Sequence, residues 1–427
     1  MKTNILIVTF LIFSIGINAQ KSAKKQLPAP YATKSVTNYS NVIGWKDGET
    51  PKAPQGFTVT KYADGFDNPR WMYAITNGDV LVAQSNSNYS IPKQVGAAII
   101  GAGRSNELSH SADVITLLRD TNNDGKPDVR ETFATKDNGL NQPFGMLVIG
   151  DWFYVANTDA LLRFPYKKGQ TKLEGKGEKL LDLPAGKHNR HWSRNLIANA
   201  DNSKIYIAVG SGTNVAEEGF DNEINRADIL EVNPDGSGLK IYASGLRNPV
   251  GMDWAPETKT LWTAVNERDE LGNNLVPDYL TSVKQGGFYG WPYSYWGQNI
   301  DPRVKPQNPN LVKKTIVPEV DLGSHTASLG LAFYTGKSFP DKYKNGAFIA
   351  QHGSWNRDPI SGYKVVFVPF KDGKPSGKAE DFLTGFVVDA NKNEVHGRPV
   401  GVIQLPDGSL LLTDDKTNNI WQISYSK

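Results

Sequence analysis

The stretch GKHNRHWSRNL, residues 186–196, sets His188 and His191 three residues apart among Lys187, Arg190 and Arg194. A histidine flanked by cationic side chains is a surface accident, a seat for an anion, or a base whose proton affinity its neighbours lower. The rest of the chain decides between these by what it places beside them. Several other chemistries are excluded at once. The chain has 0 Cys, so neither thiolate catalysis nor disulfides are available. No G-x-S-x-G elbow, H-E-x-x-H zinc motif or P-loop occurs, and no G-x-G-x-x-G turn stands between a strand and a helix.

A second constellation has complete metal-ligand spacing. DTNNDGKPDVRE puts Asp120, Asn122, Asp124, Asp128 and Glu131 at the D-x-[DN]-x-[DN]-G-x5-E positions of a calcium loop. It lies between strand-like VITLLR and VRETFA rather than between helices, and such a run also makes a hairpin turn without metal. Calcium here would be structural.

The elements that must position these groups are mostly strands. In 427 residues there are 41 Gly, 25 Pro and 44 aromatics (10 Trp, 17 Tyr, 17 Phe), a composition that favours turns and strands over long helices. Six segments share one form: NPRWMYAITNGDVLVAQ from Asn68, NQPFGMLVIGDWFYVAN from Asn141, HWSRNLIANADNSKIYIAVG from His191, RNPVGMDWAPETKTLWTAVN from Arg247, SLGLAFYTGKSFPDKYKNGAFIAQHG from Ser328 and GRPVGVIQLPDGSLLLTDD from Gly397. Each has a polar opening, a short apolar strand, a turn and a second apolar strand. Radial repetition of such units predicts an all-β, six-bladed β-propeller with four-stranded antiparallel blades over residues 56–427. FTVTKYADGF before the first copy would pair with the C-terminal NIWQISYSK and close the ring.

The first strands of all blades would begin at one end of the central channel, so their openings converge there. They carry Gln142, His191, Arg247, Asn248 and Arg398. With Lys364 beside them, the expectation is a strongly positive pocket for a ligand bearing several carboxylates or phosphates. His191 opens a repeat and His188 does not, so His191 is the expected base, its affinity for a proton lowered by Arg190, Arg194 and Arg247. The bland alternative is a histidine that caps a strand and bonds the backbone.

The N-terminus MKTNILIVTFLIFSIGINAQ has one lysine, an uncharged apolar run from Asn4 to Ile17 and a small residue at Ala19. It reads as a signal peptide over 1–19, which predicts a periplasmic or secreted protein. No later segment approaches a membrane span. Residues 20–55 read as a leader or wrapping segment. A net charge of +3 with mixed signs gives no reason to expect nucleic acid as a partner.

GLRNPVGMDW from Gly245, VNERDELGNNLVPDYL from Val265, GGFYGWPY from Gly286, HGSWNRDPISGYKVV from His352 and GRPVGV from Gly397 together resemble the sorbosone dehydrogenase branch of the soluble quinoprotein glucose dehydrogenase-like propellers, from about Phe57 to the C-terminus. The resemblance implies pyrroloquinoline quinone (PQQ) as cofactor with calcium beside it, and a sugar, sugar aldehyde or polyol as substrate. It makes His191 and Arg247 catalytic and puts Arg247 and Asn248 at the quinone oxygens. Gln142, Lys364, Arg398 and Asp414 fall near the other cofactor contacts, and Arg357 of GSWNR could stack on the flat quinone. A calcium held largely by backbone carbonyls would sit at Glu267, Arg268 and Asp269. No haem-attachment motif is present, so a separate acceptor would take the electrons. The rival readings are a calcium-dependent lactonase or esterase, which needs converging carboxylates, and a non-catalytic binding propeller.

Overall fold

The computed structural model describes residues 26–88, 91–122 and 124–425; the leader expected over 1–19 lies outside them. The fold is all-β, with only two α-helices among the described residues, Ile91–Ile99 and Pro309–Val312. Neither is long enough to cross a membrane.

Among the described residues, besides a three-stranded and a two-stranded sheet, six sheets of four or five strands follow one another along the chain. The first comprises Pro69–Ala74, Val80–Gln84, Val114–Arg119 and Val129–Ala134. The second comprises Met146–Ile149, Trp152–Ala156, Ala160–Pro165 and Glu178–Asp182. The third comprises Arg194–Ala198, Ile205–Val209, Asp228–Val232 and Lys240–Ser244, extended by the parallel strand Gly287–Phe288. Pro249–Trp254, Leu261–Val265, Pro277–Ser282 and Val320–Ser324 form the fourth. Ser328–Phe333, Gly346–Gln351, Lys364–Lys371 and Glu380–Leu383 form the fifth, which also carries the short strand Lys374–Pro375. The sixth joins the two ends of the chain: Pro399–Gln404, Leu410–Asp414 and Asn419–Tyr425 are completed by Phe57–Ala63, antiparallel to Asn419–Tyr425.

The second strands, such as Val80–Gln84 and Leu261–Val265, are buried at every position but the partly buried Trp152 of the second sheet. Their apolar runs are continuous because both faces of each sheet are covered by neighbouring sheets. Each fully buried Val, Leu or Phe contributes about 1.5–3 kcal/mol.

The first strands contact one another in cyclic order, the sixth touching the first. Glycines at equivalent repeat positions make this possible. A Cβ on Gly251 would lie 2.4 Å from the Leu329 carbonyl, one on Gly330 2.3 Å from the Val400 carbonyl, and one on Gly145 2.4 Å from the Leu196 nitrogen. Backbone therefore abuts backbone, and only a residue without a side chain fits. Where the third repeat has Asn195 instead, its Nδ2 donates to the Val250 carbonyl at 2.8 Å and spans the gap.

Residues 26–55 reach several sheets in turn, the Tyr31 amide donating to the Leu271 carbonyl at 2.7 Å and the Asn38 amide to the Trp355 carbonyl at 2.7 Å. Asn41–Val42 pairs in parallel with Glu394–Val395, and Trp45 stacks on His396 at 4.3 Å with its edge toward Trp421.

Candidate functional site

Antiparallel pairing brings the start of each first strand beside the end of its second. Pro69 lies opposite Gln84, Pro249 opposite Val265, Ser328 opposite Gln351 and Pro399 opposite Asp414. Polar residues before the first strands thus meet polar residues after the second strands at one end of the ring, its mouth.

His191 stands there, partly buried. Its Nδ1 is 2.8 Å from the Ser211 carbonyl and 3.0 Å from Ser211 Oγ, whose own hydrogen goes to the Thr213 carbonyl at 2.6 Å. Both oxygens can only accept from the ring, so the proton sits on Nδ1 and Nε2 carries the lone pair. No described residue hydrogen-bonds Nε2. Burial first, and the nearby Arg247 guanidinium second, hold the imidazole down to about 3, so it is neutral and able to accept a proton. Next to it lies the Asn248 side chain, because a Cβ on Gly210 would lie 2.5 Å from His191 Cβ and 2.3 Å from Asn248 Oδ1. Asn248 Oδ1 is buried without a hydrogen-bond partner, which marks a place where a ligand can bond.

Arg247 is buried and fully engaged. Nη1 donates to the Glu267 carbonyl at 2.6 Å, Nη2 to Asn214 Oδ1 at 2.9 Å and to Asp269 Oδ2 at 3.0 Å, and Nε to the Asn214 carbonyl at 3.2 Å. Asp269 also accepts from Asn356 at 2.7 Å and faces His325 Nδ1 at 3.4 Å. Burial opposes its ionisation, yet Arg247 and His325 keep its carboxyl below the usual carboxylate range.

Across the mouth a second cluster centres on Asp415, whose carboxylate takes Arg70 at 2.6 Å and His352 Nε2 at 2.8 Å, with Lys416 Nζ 3.3 Å away. Arg398 donates to the His352 and Gly353 carbonyls at 3.0 and 2.8 Å and to the Glu107 carboxylate. The Arg70 guanidinium lies 5.8 Å from the centre of the Trp192 ring, linking this cluster to the His191 strand.

The positive pocket expected from the sequence is therefore corrected. Arg247, Arg398 and Arg70 each hold a carboxylate, because buried guanidinium groups are costly unless paired. Arg194 is not among the groups that depress the His191 ring; it donates to the carbonyls of His191, Ser193 and Pro184 and holds the loop.

Other expected contacts are placed as follows. Lys364 begins the third strand of its sheet opposite Gln351, and its Nζ lies 2.6 Å from Asp381 on the outermost strand. Asp414 accepts from the Arg398 amide at 2.8 Å and Trp45 Nε1 at 2.9 Å, so it fastens the wrapping segment. Arg357 donates to the Pro359 carbonyl at 3.0 Å and Asn274 at 3.1 Å, at the rim. Gln142 gives its amide to the Asn86 carbonyl at 2.8 Å and orders the mouth loop.

The expected calcium seats are also spoken for. At Glu267–Asp269 the Glu267 carbonyl holds Arg247, and the Asp269 carbonyl holds Arg268 Nη1 at 2.5 Å and Asn214 Nδ2 at 3.1 Å. Arg268 is itself buried against Asp301 at 2.7 Å. A cation on these oxygens would face two guanidinium groups, so the residues present do not fit it. In the other loop Asp120 Oδ2 caps the Gly125 amide at 2.8 Å, Asn122 Oδ1 the Asp124 amide at 3.0 Å and Asp124 Oδ1 the Lys126 amide at 2.9 Å. Asp128 accepts from Thr121 Oγ1 at 2.5 Å, and Glu131 is exposed on its strand. Among the described residues no group of three His, Asp or Glu is placed to hold a metal.

Ser211, Asn214, His325, Asp415, Lys416 and Glu107 complete the mouth without having been expected there, beside His352, which the sequence offered only as a possible pocket wall. Most follow the second strand of a repeat, a position as periodic as the openings.

The sequence model of the family described as Glucose / Sorbosone dehydrogenase matches residues 154–422. Similar proteins include an uncharacterized protein of Borreliella burgdorferi, 32% identical over 57% of this chain and 63% of its own. A pyrroloquinoline quinone-dependent pyranose dehydrogenase of Coprinopsis cinerea is 31% identical over 33% of this chain and 20% of its own. An aldose sugar dehydrogenase of Escherichia coli is 30% identical over 27% and 31%. The matched stretch thus spans less than two thirds of each of these relatives. In fold, the chain is similar to a Trichoderma reesei enzyme of Carbohydrate-Active Enzymes family AA12 (TM-score 0.70, 18% identity, 95% and 100% covered). It is also similar to the holo PQQ domain of the Coprinopsis cinerea pyranose dehydrogenase (TM-score 0.68, 19% identity, 90% and 100% covered).

Proposed function

The chain belongs to the glucose/sorbosone dehydrogenase family, and from that premise we propose that it is an exported, PQQ-dependent dehydrogenase of a sugar, sugar aldehyde or polyol, built on a six-bladed propeller. The observation that carries the reading is a neutral His191 with its Nε2 lone pair free, beside a buried Asn248 oxygen that lacks a partner, at the mouth where six first strands begin.

PQQ, when bound, supplies a two-electron acceptor. Asn248 offers it or the substrate a hydrogen-bonding amide, and Arg398 and Lys416 offer cations to a carboxylate. His191 Nε2 accepts the hydroxyl proton of the substrate while Ser211 fixes the ring and its tautomer. Arg247, locked by Asn214, Glu267 and Asp269, keeps the imidazole uncharged until that proton arrives. The electrons leave to a separate acceptor. The apolar leader before Ala19 supports export.

The test is to titrate the purified chain with PQQ, following absorbance and dye reduction over aldoses, sorbosone and polyols, beside His191→Ala. Stoichiometric binding with turnover lost in the variant is expected. Absence of PQQ binding overturns the reading.

A further inference from the structure

The Arg398 guanidinium is held from behind. Nε and Nη2 donate to the carbonyls of His352 and Gly353 at 3.0 and 2.8 Å, which leaves Nη1 as the donor turned toward the mouth. Nη1 is taken by the Glu107 carboxylate, and Lys416 Nζ lies 3.7 Å from the other Glu107 oxygen. The two cations belong to the sixth sheet. Glu107 comes from the connection between the second and third strands of the first sheet, 291 residues away in sequence from Arg398. The cation side chains are 3% and 0% exposed, whereas that of Glu107 is 21% exposed. The seat is thus fixed by the sixth sheet, and the carboxylate reaches it from the solvent side.

The segment that delivers Glu107 is tied on both sides of it, the Ser109 hydroxyl and carbonyl accepting from Asn86 Nδ2 at 2.7 and 2.8 Å. Ser105 Oγ donates to the Ser40 carbonyl at 2.7 Å and Asn106 Nδ2 to the Lys416 carbonyl at 3.1 Å. Beside it a cavity of about 290 Å³, with Asn106, Leu108 and Lys416 among its walls, leaves room for the segment to shift. Burial alone would raise the Glu107 carboxyl, but Lys416 and Arg398 hold it down to about 2, so it stays an anion.

We propose that Arg398 and Lys416 form a carboxylate subsite which Glu107 fills in the unliganded chain, so that a ligand with several carboxylates binds by exchange, its carboxylate replacing Glu107 and segment 102–109 moving off. This rests on the reading of the mouth as a PQQ site. Glu107 then sets affinity: the ligand must displace an internal anion before it gains the two cations.

PQQ binding is measured by tryptophan fluorescence for the wild type, Glu107→Gln and Glu107→Asp, with hydrogen exchange of the 102–109 amides. Benzene-1,2,4-tricarboxylate, a flat tricarboxylate with no quinone, is run in parallel. Glu107→Gln should tighten PQQ at least tenfold, and exchange at 102–109 should rise on binding to the wild type. Glu107→Asp retains the charge with a shorter reach and guards against a folding defect in Glu107→Gln; it should fall between the two. Equal PQQ affinity in all three overturns the exchange and leaves the functional reading standing. If PQQ binds none but the tricarboxylate binds Glu107→Gln more tightly, the subsite holds and the functional reading fails. Binding of neither ligand overturns both.

Discussion

His191 Nδ1 donates to the Ser211 carbonyl at 2.8 Å, and this one bond decides which nitrogen can act as a base. Replacing His191 by Gln keeps a polar side chain but removes the basic nitrogen. Steady-state kinetics should show kcat lowered by about 10²–10⁴-fold, with PQQ affinity nearly unchanged; an equal loss of affinity would mean that His191 holds the ligand instead.

The imidazole at about 3 is neutral across the physiological range. An NMR titration of His191 should therefore show no protonation between about pH 5 and 8, where a free histidine titrates. In Arg247→Gln the larger cationic neighbour is gone and burial with Arg190 still depresses the ring, so the titration should move to higher pH and the acid limb of kcat/KM with it. A wild-type midpoint near the ordinary histidine value would contradict this account.

With the Glu267 and Asp269 carbonyls already engaged by Arg247 and Arg268, chelation should leave PQQ affinity unchanged within twofold. Adding millimolar calcium should leave the thermal midpoint unmoved. A calcium-dependent Kd for PQQ would show that these guanidinium groups give way to the ion.

Gly251→Ala forces a Cβ to 2.4 Å from the Leu329 carbonyl, whereas on Gly401 the nearest atom would be Thr413 Oγ1 at 3.3 Å. Overpacking at the first site should cost about 1–3 kcal/mol and at the second well under half of that. Urea unfolding of the two variants checks the difference, and equal losses would mean that the first strands do not abut as described.

Much of the architecture is written periodically, and that is why it could be read. Asn68, Asn141, His191, Arg247, Ser328 and Gly397 begin stretches that each become the first two strands of a sheet, because two buried apolar runs joined by a turn leave the same signature in each copy. The convergence of His191, Arg247, Asn248 and Arg398 follows from that order. What sequence could not show is pairing between copies. Asp269 looked like a metal ligand but is the counter-ion of Arg247; Arg398 looked like a free cation, but its partner Glu107 lies in an insertion that no other repeat shares. Lys364 was misplaced because strand alternation tells which face a residue takes, not how far from the axis its strand lies.

The strand Phe57–Ala63 is laid against Asn419–Tyr425, so the sixth sheet contains both ends of the described chain. A polypeptide made from its N-terminus carries this strand for most of its length without its mate. Five sheets can form from neighbouring sequence as it emerges, but the last waits for the final residues. The contact that seals the circle is thus also among the longest-range ones in the protein, and such contacts slow folding most. Closure of the sixth sheet therefore depends on two stretches that lie far apart along the chain meeting each other.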